Sequence, residues 1–202
     1  MLSTLLYDEK GLIGMDISRR NNIENSHFIY CRKSGRIYRG QKWGSGMAPG
    51  TDTECPDEGA EPDSYSEFIS EIDTILMGFN TFHQVNTELS PDVWPYPDQT
   101  SYVITHRSLP STERIRFTSE PPCELLRKLR KEDGKGIWIC GGANLARQLM
   151  REDLIDVWHI SVIPTLLGGG IRLFEELEQE RKLRLIKAQS CHGIADLVYE
   201  RR

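Results

Sequence analysis

The arrangement of apolar and polar residues changes near residue 64 of this chain. From Ser64 onward, short apolar runs that suit buried strands alternate with stretches whose apolar residues recur every three or four positions, as on a helix. Residues 1–63 show neither pattern, and residues 51–63 are rich in acids and prolines, which is typical of a solvated loop. The pattern predicts an irregular N-terminal segment over residues 1–63 and a single folded domain over residues 64–202.

Within the folded domain the pattern predicts strands and helices in alternation. A capping box formed by Ser64 and Glu67 begins the first helix, and two prolines begin the helix at residues 121–131, where a missing N–H is tolerated. Further strands and helices are predicted at residues 74–77, 78–82, 101–105, 136–140, 143–151 and 157–162. Residues 183–188 and 194–200 alternate at period two and predict a hairpin. This order predicts an α/β fold with a mainly parallel central sheet, closed by an antiparallel C-terminal hairpin.

Composition and charge indicate which kinds of binding partner the protein is unsuited to. The chain of 202 residues has a formal net charge of -5, which disfavours nucleic acid and anionic membrane surfaces. No apolar run is long enough to span a bilayer. The five cysteines have neither disulfide-like nor zinc-like spacing: Cys31, Cys55, Cys123, Cys140 and Cys191. We therefore expect a cytoplasmic protein with reduced thiols, no metal and a small-molecule substrate.

The residues around Gly141 and Gly142 carry the clearest chemical signal. An apolar strand precedes the two glycines, and a helix begins directly after them. The first backbone N–H groups of a helix have no partner within it and lie at the positive end of its dipole, so such a junction can bind a phosphate. A tight turn would also explain a glycine here. Residues 78–81 and 105–107 also follow predicted strands, and parallel sheets bind ligands at the carboxyl ends of their strands.

Four stretches together resemble the dihydrofolate reductase-like superfamily. They are residues 73–82, 102–107, 137–145 and 163–174, in the family's order and spacing across residues 64–201. More narrowly, the chain looks like stand-alone relatives of the riboflavin-pathway pyrimidine reductase domain. The resemblance implies a three-layer αβα fold and an NADPH-dependent reductase. Its substrate would be a small heterocycle of the pyrimidine or pterin type, as for 5-amino-6-(5-phosphoribosylamino)uracil reductase of riboflavin biosynthesis.

The resemblance also implies which residues bind the cofactor. The implied residues are Gly141, Gly142, Ala143, Asn144 and Leu145 for the pyrophosphate, Gly78, Asn80 and Thr81 for a second phosphate-facing helix start, and Thr105, His106 and Arg107 for the adenosine 2′-phosphate. Arg107 offers a planar, permanently charged set of donors that suits a phosphate. Family members usually have an arginine directly after the glycine that corresponds to Gly78. This chain has Phe79 there, which cannot donate to phosphate. The choice between NADPH and NADH is therefore open.

No residue receives a catalytic or metal-binding role from the sequence. Four acids near the first helix are interpreted as exposed helix charges: Asp63, Glu67, Glu71 and Asp73. Two basic residues are candidates to bind a substrate phosphate, with no further support from the sequence: Lys42 and Arg172. The glycines at 168–170 are interpreted as a simple turn. We expect His83, on the second helix, to be exposed and His159, within an apolar strand, to be a hydrogen-bonded core residue. Neither has a partner at metal-ligand or triad spacing, so neither receives a role.

The N-terminal segment lacks the buried strand and the Asp-Gly turn with which the resembling family begins. Read one base later with permitted codons, the coding sequence for residues 30–47 can specify an apolar strand, an Asp-Gly turn and a loop in the expected place. We therefore hypothesise a reading-frame error between about His27 and Ala48, so that residues 28–47 would not be the true translated sequence.

Two other functions stay open on sequence grounds. The first is a non-catalytic nucleotide-binding or interaction protein on the same scaffold, which Phe79 and the unusual N-terminal segment favour. The second is an ordinary Rossmann dehydrogenase, which predicts a Gly-x-Gly-x-x-Gly near the first strand that this chain lacks. Whatever the function, the apolar strands and the C-terminal hairpin are compatible with a homodimer.

Overall fold

The computed structural model describes residues 68–162, 174, 179–191 and 194–202, together with three strands of the N-terminal segment. The strands are β1 (Leu6–Asp8), β2 (Gly11–Ile13), β3 (Asn25–Arg32), β4 (Ile72–Gly78), β5 (Thr100–Ile104), β6 (Ile115–Thr118), β7 (Gly136–Gly141), β8 (Val157–Val162), β9 (Leu183–Cys191) and β10 (Ile194–Arg201). The helices are α1 (Phe79–Gln84), which continues into a π-helical turn at Val85–Leu89, α2 (Pro122–Leu129) and α3 (Ala143–Arg151).

Eight of these strands form one sheet in the order β6-β5-β4-β7-β3-β8-β10-β9, and β1 and β2 form a separate antiparallel pair. Strands β4, β5, β6 and β7 are parallel to one another. Strands β8, β10 and β9 form an antiparallel ladder at the other side of the sheet. The predicted parallel centre and antiparallel C-terminal hairpin are therefore confirmed.

Helices α2 and α3 cover one face of the sheet. Leu126 of α2 and Leu149 of α3 are completely buried against it, because the apolar residues of each helix fall on one side. The strand residues beneath them include Leu76, Ile139 and Trp158. This cluster fixes the position of α3 and therefore of the turn that leads into it.

Helix α1 and the segment before β4 cover the opposite face. Val85, Met77 and Trp138 are buried there, and Phe68 packs edge-on against Trp138 with 5.4 Å between the ring centroids. Residues 68–70 are helical, at the end of the first predicted helix, whose capping box lies outside the described residues. Two apolar clusters on the two sides of one sheet make the three αβα layers. Because both faces are covered, a strand such as β4 is an almost continuous apolar run.

The expectation that the first fifty residues contribute no strand to the central sheet is wrong. Strand β3 lies between β7 and β8 and is antiparallel to both. Its sequence mixes apolar and polar residues without strict alternation, and its strand conformation is set by backbone pairing with two neighbours, which a reading of local pattern does not detect. The predicted loop at residues 51–63 lies outside the described residues.

Candidate functional site

The three predicted site segments lie side by side at the carboxyl edge of the parallel strands. Met77 of β4 pairs with Gly141 of β7, and Gly78 of β4 pairs with Ile104 of β5. Neighbouring strands in a sheet are about 4.8 Å apart, so the segments that follow these strands start close to one another. The sheet thus brings together residues 78–81, 105–107 and 141–145, although they are far apart in sequence.

The turn between β7 and α3 requires glycine at its first position. Gly141 has a φ of 111°, in the region where an L side chain is strained, and its peptide bond to Gly142 is cis. Gly142 has extended backbone angles, with φ -74° and ψ 172°, and provides no side-chain cap to α3. The sequence indicated a glycine turn here, but nothing in it indicated the cis peptide bond.

The start of α3 leaves backbone donors available. The first internal hydrogen bond of the helix runs from the N–H of Ala146 to the carbonyl of Gly142, at 3.1 Å. Within the described part of the chain, the N–H groups of residues 143–145 have no acceptor, and no side chain caps the helix. These donors lie at the positive end of the α3 dipole, so the local field there favours an anion.

The side chains at the start of α3 differ in what they can contact. Leu145 is 6% exposed and belongs to the apolar core, so only its backbone can face a ligand. Asn144 is exposed, and its Oδ1 accepts a hydrogen bond from Nε2 of Gln148 at 2.8 Å. Ala143 is half-buried. The potential of this turn for binding anions therefore resides mainly in its backbone.

The second predicted segment surrounds the start of α1. Gly78 has extended backbone angles, and a Cβ added to it would meet nothing within 4 Å, so there is open space in front of it. Asn80 is exposed, whereas Thr81 is buried at 8% exposure. As at α3, no side chain caps the helix.

The third segment, after β5, is a tight turn held by its own residues. The backbone N–H of Thr105 donates to the carbonyl of Thr118 at 2.8 Å, and its Oγ1 accepts the backbone N–H of Arg107 at 3.1 Å. Thr105 is buried, whereas His106 and Arg107 are exposed. Thr105 thus shapes the turn, and the two exposed side chains are available to a ligand.

Phe79 contacts Arg107 directly, which the sequence did not reveal. The guanidinium carbon of Arg107 lies 4.2 Å from the centroid of the Phe79 ring. The ring of Phe79 is in turn stacked on His83, with 5.9 Å between centroids and 9° between planes. His83 is exposed, as predicted. From the sequence alone, position 79 is only a missing phosphate donor. The pairing of β4 with β5 makes it a neighbour of residue 107.

The described acids near the first helix lie at the opposite end of the sheet. Asp73 belongs to β4, so its interpretation as an exposed helix charge is wrong. Its carboxylate accepts the backbone N–H of Lys135 at 2.7 Å and the hydroxyl of Thr74 at 2.8 Å. At about 3.3 Å per residue, Asp73 is roughly 16 Å from Gly78 along the strand. Seven other positions considered from the sequence lie outside the described residues: Lys42, Asp63, Glu67, Arg172 and the three glycines at 168–170.

His159 and Asp196 form a polar pair within the sheet. Nε2 of His159 lies 3.9 Å from Oδ1 of Asp196, and the hydroxyl of Ser161 donates to the same carboxylate. The two side chains of the pair are 13% and 16% exposed. Burial lowers the pKa of His159, the charge of Asp196 opposes this shift, and Lys187 adds to it. The imidazole is therefore held towards its neutral form.

Among the described residues, no group of three or more histidine, cysteine, aspartate or glutamate side chains could hold a metal ion. In the same part of the chain, no helix is long and apolar enough to cross a membrane.

Comparison with known proteins identifies the family to which the chain is similar. The model of the RibD C-terminal domain family matches residues 46–199. The uncharacterized protein YwjB of Bacillus subtilis (strain 168) is 43% identical over 147 residues, which cover 71% of this chain and 82% of YwjB. The uncharacterized protein YyaP of the same strain is 27% identical over 150 residues, covering 69% and 80% of the two chains.

Solved structures show the same fold. A protein from Shewanella sp. PV-4 that is named for riboflavin biosynthesis superposes with a TM-score of 0.57 at 23% identity, covering 73% of this chain and 84% of that one. Dihydrofolate reductase from Enterococcus faecalis, in complex with NADP(H), superposes with a TM-score of 0.50 at 18% identity, covering 70% and 82%. With a dihydrofolate reductase-like fold and a family match across three quarters of its length, the chain belongs to the RibD C-terminal domain family.

Proposed function

We propose that the protein is an NADPH-dependent reductase that reduces a small heterocycle of the pyrimidine or pterin type. The observation that carries the proposal is the uncapped start of α3, where three backbone N–H groups lie beside the segments that follow β4 and β5. A diphosphate fits that environment, because its charge matches the helix dipole and its oxygens accept backbone hydrogen bonds.

The exposed arginine after β5 supports NADPH as the cofactor in preference to NADH. Arg107 stands one strand away from Gly78, with no competing carboxylate among the described residues. A guanidinium matches the geometry of a phosphate monoester through paired N–H donors. We therefore assign Arg107 to the adenosine 2′-phosphate, with His106 beside it.

The residues of this chain would bind and orient the reactants. NADPH supplies the hydride when bound. The turn at Gly141 and Gly142 would hold the diphosphate, residues 78–81 would line the adjoining edge, and the covered sheet would fix both in one geometry. Fixing the reactants in contact removes much of the entropic barrier to transfer. We assign no catalytic acid, since the described acids near β4 lie at the far end of the strand.

The experiment is NADPH oxidation by the purified protein with a panel of pyrimidine and pterin substrates, including the riboflavin-pathway ribosylaminouracil and dihydrofolate. We expect oxidation with at least one pyrimidine or pterin and a lower kcat/KM in Arg107→Gln. Arg127→Gln is the matched control, because Arg127 lies on α2 and pairs with Glu152. Binding of NADPH without turnover of any substrate would favour the alternative, a non-catalytic nucleotide-binding protein.

We also propose that the protein acts as a cytoplasmic homodimer. Leu185 and Ile186 on β9, the last strand of the sheet, are 48% and 44% exposed. Burying apolar side chains of an edge strand against a second copy of the chain would stabilise a dimer. Cys123 is a free thiol, as a reducing compartment would maintain it. Light scattering of the wild type and of Leu185→Lys tests the dimer, and a monomeric wild type would exclude it.

A further inference from the structure

Arg107 rests on an aromatic ring. Its guanidinium carbon is 4.2 Å from the centroid of Phe79, well within the range of a cation–π interaction. The arginine is otherwise exposed, and it forms no ion pair with any carboxylate that the structure describes. The ring of Phe79 is therefore a contact that orients this guanidinium.

Phe79 is itself held in place by other rings. It stacks on His83, and its centroid lies 6.0 Å from that of Phe82. Phe82 packs edge-on against Phe117 of β6, with 5.1 Å between centroids. Phe79 is half-buried and packs against the same core cluster, so these aromatic contacts make its ring a fixed support for the arginine above it.

The backbone of Arg107 is fixed as well. Its N–H donates to Oγ1 of Thr105, which is buried after β5. With the backbone and the guanidinium both held, the long side chain between them has fewer conformations to lose when a ligand binds. Such prior ordering raises affinity, because less rotamer entropy is lost on association.

We propose that Phe79 is a positioning residue that holds the Arg107 guanidinium ready for a 2′-phosphate, so that this site prefers NADPH over NADH with a single arginine. The inference rests on the proposed function. Phe79 acts through Arg107 and not by touching phosphate, so the site needs a flat ring at position 79 and does not need a hydrogen-bond donor there.

The experiment measures the dissociation constants of NADPH and NADH by calorimetry for a set of variants. Phe79→Leu removes the ring and keeps an apolar side chain, whereas Phe79→Tyr keeps the ring. We expect Phe79→Leu to reduce the preference for NADPH roughly two- to five-fold, the range of one exposed cation–π contact, with little change for NADH. Phe79→Tyr should retain the preference. In an Arg107→Gln background, Phe79→Leu should cause no further loss.

A matched control comes from a second cation–π pair. Arg116 of β6 lies over the ring of Tyr102 of β5, 5.5 Å from its centroid. Tyr102→Leu should leave the nucleotide preference unchanged. An unchanged preference in Phe79→Leu, or an equal loss with and without Arg107, would overturn the inference while leaving NADPH binding intact. If the wild type binds neither nucleotide, both the proposed function and the inference fail.

Discussion

Met77 of β4 lies beside Gly141 of β7, and this one pairing places two strand-to-helix turns next to each other. Both turns face the same edge, and neither of the helices that follow is capped by a side chain. The pairing of Gly78 with Ile104 adds the turn after β5 to the same edge. The register of three parallel strands, more than any single motif, thus makes this edge a coherent candidate site.

The two glycines of this edge should respond differently to substitution. Gly141 has a φ of 111°, so Gly141→Ala should lower the free energy of unfolding by about 1–3 kcal/mol through backbone strain. Gly78 has a φ of -80° and open space where a Cβ would lie, so Gly78→Ala should change stability by less than about 1 kcal/mol. Urea unfolding of the two variants checks this, and equal losses would contradict it.

Leu145 should matter for folding and not for ligand contact. It is 6% exposed within the core cluster of α3. Leu145→Ala should therefore lower the free energy of unfolding by about 2–5 kcal/mol, as expected for truncating a buried leucine. NADPH affinity, measured at a temperature where the variant is folded, should stay close to that of the wild type. A large loss of affinity in a fully folded Leu145→Ala protein would show that the side chain itself contacts the cofactor.

Stability should fall in mild acid because of His159. Burial holds the pKa of this imidazole below its ordinary value of 6.5, so the unfolded chain binds a proton more readily than the folded one. The folded state therefore loses stability as the pH falls below about 6.5, until the pH passes the lowered pKa. Unfolding measured between about pH 7.5 and pH 5 should show a shallower slope for His159→Gln than for the wild type. Equal slopes would show that other groups dominate this range.

The sequence predicted those strands and helices whose structure follows from the local spacing of apolar and polar residues. The predicted strand at residues 157–162 and helix at residues 143–151 coincide with β8 and α3, because burial on both faces gives apolar strands and one-sided burial gives helical spacing. Strand β3 was missed because its partners are far away in sequence. The contact of Phe79 with Arg107 was missed for the same reason, since it depends on how β4 pairs with β5.

The coding DNA should reveal a disturbed reading frame between about His27 and Ala48. Strand β3 covers the start of this region and is antiparallel to both neighbours, and the family match begins only at residue 46. A protein translated in the restored frame should melt at a higher temperature than the chain as given, because a more apolar strand would lie between β7 and β8 in place of the mixed sequence of β3. An undisturbed frame on resequencing would contradict the hypothesis.

The central claim is that the edge formed by β5, β4 and β7 binds NADPH, and thermal melting with and without nucleotide tests it most directly. At a concentration about 100 times Kd, a ligand specific for the native state adds about 2.7 kcal/mol to its stability. For a domain of this size, that corresponds to a rise in Tm of roughly 5–10 °C. We predict such a rise with NADPH and a smaller one with NADH at the same concentration. An unchanged Tm with both nucleotides would contradict the account.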